Sequence, residues 1–301
     1  MSSIETLTLR WLDRASMQPL LPLLDEWLLP GAFYGAQHTW PQLYRSDGDG
    51  RFAALFAGER MLSACAFRFA VLHSCGSTLR VALLGSVATD PSMRGQGLAT
   101  QLLRTSLDAC KQGGAELVLL WAEQPGLYER CGFGVGALEV CCALTARFDD
   151  VVDAAGKPSV IRFATIADHA RLHELHEQKP LRIERSLREI SALLSTPGLQ
   201  TVVLERDDEV VAYACTGKGA DLQGWWHELG GSDADVAALL PRALCLAEQS
   251  QAIALVPPYR LALPRLLGDC RLETATVAGP MVCRLTDRPV PSLFVDGLDS
   301  V

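Results

Sequence analysis

The feature that most constrains the fold is a polar turn, "TDPSMRGQG" (residues 89–97), which lies between two apolar segments. The preceding segment, "RVALLGSVA" (residues 80–88), has the length and composition of a strand that is buried on both faces. After the turn, apolar and small residues recur at three and four positions, which predicts a helix with one buried face. The chain is therefore expected to run strand, turn, helix.

The turn has the composition of an anion-binding site. The first N–H groups of a helix have no partner within the helix, and the glycines Gly95 and Gly97 let a ligand approach them closely. Arg94 adds a positive charge beside the positive end of the helix dipole. A phosphate is the expected ligand, although the same residues also fit a tight turn that only closes the corner between strand and helix.

Two common phosphate motifs do not fit this turn. A P-loop needs Lys and then Ser or Thr after its last glycine, whereas Leu98 and Ala99 follow Gly97. The Rossmann fingerprint needs a Gly or Ala where this chain has Thr100, and it needs a strand early in its domain. The remaining pattern, Arg-x-x-Gly-x-Ala from Arg94 to Ala99, closely resembles the acetyl-CoA signature of the GNAT acetyltransferase superfamily.

A second motif follows in the order that this family shows. "AELVLLWA" (residues 115–122) reads as another buried strand. After it, "LYERCGF" (residues 127–133) is similar to the Tyr-x-x-x-Gly-Phe helix end found near the thiol in many GNAT enzymes, matched by Tyr128, Gly132 and Phe133. Two motifs in the right order are more specific than either alone, so the first half is identified as a member of the superfamily by resemblance.

The resemblance implies an α/β fold in which a mixed, mostly antiparallel twisted sheet is flanked by helices. It also implies acetyl transfer from acetyl-CoA, acting as co-substrate, to an amine, with no metal ion. The strand end is expected to pair with the pantetheine arm and the turn to wrap the pyrophosphate. The residues expected to bind the cofactor are Val87, Ala88, Thr89, Arg94, Gly95, Gln96, Gly97, Leu98, Ala99 and Thr100.

Tyr128 is the expected general acid by the same resemblance. A phenol with a pKa near 10 stays protonated at neutral pH and can protonate a thiolate whose own pKa is near 8.5. The general base has several candidates, namely Glu123 after the second strand, Glu26 in an early helical region, and a chain of water molecules. A further candidate is the carboxylate of Val301, because some tandem GNAT proteins of the enhanced-intracellular-survival type bring such a carboxylate into the active site. The other interpretation of that tail is packing on the surface.

The chain also contains a weak internal repeat. "LRWLDRAS" (residues 9–16) and "IRFATIAD" (residues 161–168) share an Arg-aromatic strand that leads into a helix, and later segments match in the same order. We therefore predict two GNAT-like domains, residues 1–148 and 160–301, joined by a linker at residues 149–159. The second domain is predicted to be degenerate, because its helix start carries Asp233 and Asp235 in place of the phosphate turn and would repel a pyrophosphate.

Composition narrows the remaining possibilities. The chain has 301 residues, is 49% hydrophobic and has a net charge of −8, without the clustered Lys and Arg that nucleic-acid binding needs. No apolar run approaches a membrane span and the first residues lack a secretory pattern, so a cytoplasmic protein without a membrane partner is expected. The ten cysteines are scattered, as buried core residues would be. Homo-oligomerisation is left open.

Three further segments have competing interpretations. The helix with His169, His173 and His176 has a spacing that could hold a metal, but a polar outer face is the preferred interpretation. The "WWH" segment (residues 225–227) is predicted to fill a core or a domain interface. "GAFYGAQHTW" (residues 31–40) either lines the acceptor pocket, as this region does in the family, or packs in the core.

Two functions from different classes follow from these observations. The first is an N-acetyltransferase that acts on an amine of a small molecule or peptide. The second is a non-catalytic acyl-CoA sensor or assembly module, since the phosphate site alone serves both. The presence of Tyr128 favours the enzyme.

Overall fold

The structure is a computed structural model that describes residues 6–45, 48–122, 124–149 and 159–301. The first half contains β1 (Leu7–Leu12), α1 (Arg14–Met17), α2 (Leu21–Leu28), α3 (Ala36–Thr39), α4 (Pro41–Tyr44), β2 (Arg51–Ala57), β3 (Arg60–Ser74), β4 (Ser77–Thr89), α5 (Leu98–Gln112), β5 (Leu117–Leu120), α6 (Pro125–Glu129), β6 (Gly134–Val135) and β7 (Leu138–Thr145). The second half contains β8 (Val160–Phe163), α7 (His169–Glu177), β9 (Leu181–Ile183), α8 (Leu187–Leu194), β10 (Gln200–Arg206), β11 (Glu209–Lys218), β12 (Asp221–Gly231), α9 (Asp233–Leu246), β13 (Gln251–Val256), α10 (Leu263–Leu266), β14 (Arg271–Ala278) and β15 (Met281–Arg284).

Two mixed sheets form the framework of the molecule. Within the residues that the structure describes, the first has eight strands, in the order β1-β2-β3-β4-β5-β15-β6 with β9 paired to β3. The second has seven strands, in the order β14-β7-β13-β12-β11-β10-β8. Each sheet is mostly antiparallel and contains a parallel pair, β4 with β5 in the first and β12 with β13 in the second. The predicted α/β fold with two mixed sheets flanked by helices is confirmed.

The two halves exchange strands. β7 comes from the first half but pairs with β13 and β14 in the second sheet. β15 comes from the second half but pairs with β5 and β6 in the first sheet. Because each sheet is completed by a strand of the other half, separating the halves would expose unpaired strand edges. The division into domains 1–148 and 160–301 stays a prediction, and β7 and β15 each pair across the proposed boundary. Most of the predicted linker lies outside the described residues.

The helices α5 and α9 occupy corresponding places, since each connects the two parallel strands of its sheet. The face of α5 that the sequence spacing predicted is buried, including Leu102, Leu103 and Cys110. α9 buries Leu239 and Leu240 against the second sheet. Each leucine that is removed completely from water contributes about 1.5–3 kcal/mol, so these faces fix both helices on their sheets.

Several smaller predictions can be checked against the burial pattern. Trp226 and His227 are completely buried, so this part of the "WWH" segment fills the interior as predicted. Most of the cysteines are buried, Cys75 is exposed, and all ten are free thiols. No helix in the described part of the chain combines the length and apolar composition needed to cross a bilayer.

Candidate active site

A cleft opens where β4 and β5 diverge. The two strands pair only from Val81 to Leu83, after which β4 continues to Thr89. A β-bulge lies at the point of divergence, where the register between β3 and β4 shifts and Ser86 adopts a left-handed φ of 53°. Since β5 no longer pairs with it, the last part of β4 presents backbone groups to a cleft of about 860 Å³.

The turn after β4 is held in shape by a small polar network. The side chain of Asp90 accepts a hydrogen bond from the Ser92 backbone N–H at 2.8 Å, and it forms an ion pair with Arg60 at 2.7 Å. Hydrogen bonds from Ser92 and then from Arg60 lower the pKa of Asp90 to about 2. Arg94 Nε donates to the carbonyl of Thr89 at 3.3 Å, which places this guanidinium beside the cleft.

The start of α5 faces this cleft without a side-chain cap. Its N-cap residue is Gly97, which has a φ of 81° and provides no capping hydrogen bond. The first turn of α5 contains no acidic residue, so the N–H groups and the positive end of the dipole stay available. Arg94 and Arg130 also line the cleft. This arrangement has the geometry and charge of a phosphate-binding site.

The predicted cofactor residues are brought together here, with one difference. The members of the set that line the cleft are Val87, Ala88, Thr89, Arg94, Gly95, Gly97, Leu98, Ala99 and Thr100. Gln96 does not line it, and its side-chain amide lies 3.7 Å from the sulfur of Met93. Gly85 and Ser86, at the bulge, also line the cleft.

Tyr128 lies on α6 and lines the same cleft. Its ring packs edge-on against Phe133, with the centroids 6.1 Å apart. Burial raises the pKa of Tyr128, so its hydroxyl stays protonated at neutral pH. Among the residues that the structure describes, this hydroxyl has no hydrogen-bond partner, which leaves it available to a ligand.

The carboxylate candidates occupy different places. Glu123 lies outside the described residues. Glu26 is exposed on α2 and is not among the residues that line the cleft. Val301 is 9% exposed and lines the cleft, where a Cβ atom built on Gly85 would overlap its carboxyl carbon and oxygen. The close approach of the last residue therefore requires glycine at position 85.

Aromatic side chains line the other part of the cleft. Trp27 on α2, Trp40 after α3 and Trp121 after β5 all contribute to it. Trp40 belongs to the segment 31–40, which agrees with the pocket interpretation for this residue. Phe33 of the same segment is 91% exposed and lies outside the set of lining residues.

The histidine helix differs from its preferred interpretation, because His176 is completely buried rather than on a polar outer face. Its Nε2 atom bonds the carbonyl of Ile183 at 2.8 Å, which fixes the helix to β9. His176, Glu228 and Asp296 offer possible ligand atoms within 4.8 Å of one another. The Lys179 ammonium lies 3.0 Å from Asp296 and 3.4 Å from Glu228, so the carboxylates of this cluster already have a cationic partner.

Sequence reasoning missed the buried charges around the end of the chain. Side chains of both signs are withdrawn from water there and form ion pairs with one another: Lys179, Arg185, Glu228, Asp296 and Asp299. Lys218 is also buried there, but its ammonium donates to uncharged oxygens of Gly297 and Ser300. Such residues look like ordinary surface residues in a sequence. No periodic signal distinguishes them.

Comparisons with known proteins agree with this fold and site. Residues 32–136 match the family model described as an acetyltransferase (GNAT) domain. An uncharacterized N-acetyltransferase of Streptomyces avermitilis is 29% identical over 192 residues, which is 59% of this chain and 46% of that protein. The match therefore spans less than half of the relative's length. The matched region, residues 32–136, is therefore similar to a GNAT acetyltransferase domain, and it contains most of the residues that line the cleft.

Solved structures share the fold over nearly the whole chain. A probable N-acyltransferase of unknown function from Enterococcus faecalis aligns with a TM-score of 0.71 and 12% identity, covering 93% of this chain and 73% of the other. A GCN5-related N-acetyltransferase from Kribbella flavida aligns with a TM-score of 0.67 and 17% identity, covering 93% and 72%. At these identities the likeness establishes the fold alone.

Proposed function

We propose that the protein transfers an acetyl group from acetyl-CoA to an amine of a small molecule or peptide. The observation that carries the proposal is the uncapped start of α5, which opens into the same cleft as the diverging strands and Tyr128. The pyrophosphate would bind at residues 94–100, and the pantetheine arm would pair with the free backbone of β4 at residues 87–89. The thioester would then lie between Tyr128 and the tryptophans Trp27, Trp40 and Trp121.

Direct transfer then needs two proton movements. As the amine nitrogen attacks the thioester carbonyl, the carbon–sulfur bond breaks and the CoA thiolate leaves with the electron pair. Tyr128 would protonate the thiolate, and the carboxylate of Val301 would accept the proton that the amine loses. Val301 is supported in this role by its position against Gly85 in the cleft. Glu123 stays a second candidate base.

The second half is proposed to be a GNAT-like domain that has lost cofactor binding. The sheet order around β12 and β13 repeats that around β4 and β5, including the parallel pair. The cytoplasmic location and the oligomeric state stay predictions. The rival function, an acyl-CoA sensor without catalysis, would use the same phosphate site.

Thiol release from acetyl-CoA separates the enzyme from the sensor. The 301-residue chain is assayed with a panel of polyamines, aminoglycosides, amino acids and peptides, and the products are checked by mass spectrometry. The proposal predicts acetylated amine and free CoA in equal amounts with at least one class. Acetyl-CoA binding without turnover on any member of the panel would favour the sensor.

Removal of Val301 tests the proposed base. Deleting this residue is expected to lower kcat by about 10²- to 10⁴-fold, the range for loss of a general base, because the carboxylate of the preceding residue would end short of Gly85. The dissociation constant of acetyl-CoA, measured by calorimetry, is expected to stay within about twofold. An unchanged kcat in the deletion variant would indicate that Glu123 or water acts as the general base.

A further inference from the structure

The last ten residues form a segment, here called the tail (residues 292–301), that ends in the cleft. It begins near the end of β3, where the Ser74 hydroxyl donates to the carbonyl of Ser292 at 2.9 Å. Asp296 and Asp299 on the tail are completely buried. The tail ends at Val301 beside Gly85, so its course determines what reaches the cleft.

One lysine of the second sheet donates hydrogen bonds to the end of this tail. Lys218, at the end of β11, is completely buried. Its Nζ atom donates to the carbonyl of Gly297 at 2.8 Å, to the carbonyl of Ser300 at 2.6 Å and to the Ser300 hydroxyl at 2.8 Å. The carbonyl of Ser300 belongs to the peptide bond that leads into Val301, so Lys218 fixes the residue immediately before the terminal carboxylate.

A second cation secures the tail one residue earlier. Arg185 donates to both carboxylate oxygens of Asp299, with a shortest distance of 2.7 Å, and also to Glu228. Such forked contacts hold a carboxylate in one orientation. The segment between Asp299 and Val301 is therefore held from Arg185 on one side and from Lys218 on the other.

Lys218 carries an amino group into the interior of the protein, where a charge is costly to bury. Burial lowers the pKa of Lys218 to about 8, although Asp221 and Asp299 counteract part of that effect. Arg185 and His227 also face the ammonium, so the groups around Lys218 include a cation and an imidazole as well as carboxylates. An apolar side chain of similar length would be less costly to bury. The Lys218 ammonium, however, donates to three acceptors on the tail, and an apolar side chain would leave them without a donor.

We propose that Lys218 is a positioning residue, which holds the end of the tail so that the terminal residue projects into the cleft. This inference rests on the proposed function in one respect, the use of the Val301 carboxylate as base. The holding itself does not depend on that role. The two can therefore be tested separately.

Release of Val301 by a carboxypeptidase tests the holding without any assay of activity. The 301-residue chain, Lys218→Met and the surface control Lys111→Met are incubated with carboxypeptidase Y, and loss of the last residue is followed by mass spectrometry. Loss is expected to be at least about tenfold faster in Lys218→Met than in the other two, because three donors to the tail are gone. Ser300→Ala, which removes one of the three contacts, is expected to fall between them and serves if Lys218→Met does not fold.

Kinetics with an accepted amine then test the effect on catalysis. Lys218→Met is expected to lower kcat by about 10- to 100-fold while the KM for acetyl-CoA stays unchanged, because the base is misplaced and the phosphate site is not. Release of Val301 from Lys218→Met at the wild-type rate would overturn the proposal that Lys218 holds the tail. Faster release with kcat unchanged would support the holding and contradict the proposed role of Val301 as base. If the wild-type protein acetylates no amine, the proposed function fails, whereas the release rates still decide whether Lys218 holds the tail.

Discussion

At the start of α5 the backbone N–H groups face an open cleft without a side-chain cap, whereas at the start of α9 a serine hydroxyl caps one of them. The N-cap of α5 is Gly97, which provides no side-chain hydrogen bond. The N-cap of α9 is Ser232, whose hydroxyl accepts from the Asp235 N–H at 3.1 Å. Both helices follow the first strand of the parallel pair in their sheets, so the difference lies in the junction and not in the fold.

The charges at the two helix starts also differ, since the first turn of α5 has no acidic residue. The first turn of α9 contains Asp233 and Asp235, which form ion pairs with Arg260 and Arg206. The cations near this helix are therefore already paired with carboxylates. A helix end that caps itself gains about 1 kcal/mol, and an uncapped one forgoes that stability but keeps its donors for a ligand.

The tyrosines that follow the two parallel pairs show a similar contrast. After β5, α6 presents Tyr128 to the cleft. After β13, Tyr259 packs with Phe294 of the tail, and its hydroxyl is buried. The tail thus covers Tyr259 in the second half, whereas Tyr128 in the first half stays accessible from the cleft. We expect the two halves to respond differently to matched substitutions.

Gly97→Trp should have the largest effect. An indole at the N-cap would fill the space that the pyrophosphate is proposed to occupy, so binding of acetyl-CoA is expected to become undetectable by calorimetry. Gly268→Trp is the matched control, because Gly268 also has a positive φ and open space around a Cβ position, but it lies in the second half. Both variants place a tryptophan at a positive φ, 81° for Gly97 and 54° for Gly268, so both carry backbone strain.

The comparison of these two variants separates strain from occlusion. The control is expected to bind acetyl-CoA with wild-type affinity. Unchanged affinity in Gly97→Trp would mean that the phosphate does not bind at this helix start. Equal loss in both variants would show that the effect arises from the fold as a whole.

Tyr128→Phe should have the next largest effect. The ring and its contact with Phe133 are kept and only the donated proton is lost, so kcat is expected to fall by about 10²- to 10⁴-fold. Acetyl-CoA affinity is expected to be nearly unchanged. Tyr259→Phe, its counterpart in the second half, is expected to leave kcat as it is. A fall in affinity alone for Tyr128→Phe would indicate a structural hydroxyl.

The site could be predicted from the sequence where its chemistry is local. Arg94, Gly97 and Ala99 act within one turn, so their spacing carries the information, and the buried face of α5 follows from its periodicity. The bulge at Ser86 could not be predicted, because a left-handed φ at a serine has no sequence signal. The contact between Gly85 and Val301 could not be predicted either, because it joins residues that are far apart in the sequence.

The long-range arrangement could not be predicted for a different reason. β7 and β15 each pair with strands that are more than 100 residues away in the sequence, so no local pattern reveals which sheet they join. Lys218 and Asp299 are charged, and they are buried only because the tail brings their partners together. The burial of His176 could not be predicted because a polar side chain is usually exposed, whereas here the carbonyl of Ile183 supplies an internal acceptor for its ring.

Ser232→Ala should have the smallest effect, and it tests the other side of the comparison. Without the hydroxyl, the Asp235 N–H loses its cap, so the free energy of unfolding in urea is expected to fall by about 1 kcal/mol. Because α9 is not proposed to bind a phosphate, acetyl-CoA should bind with unchanged affinity and at one molecule per chain. The residual acids Asp233 and Asp235 would still repel a second pyrophosphate. A second acetyl-CoA bound by this variant would show that only the cap, and not the charge, had closed the second junction.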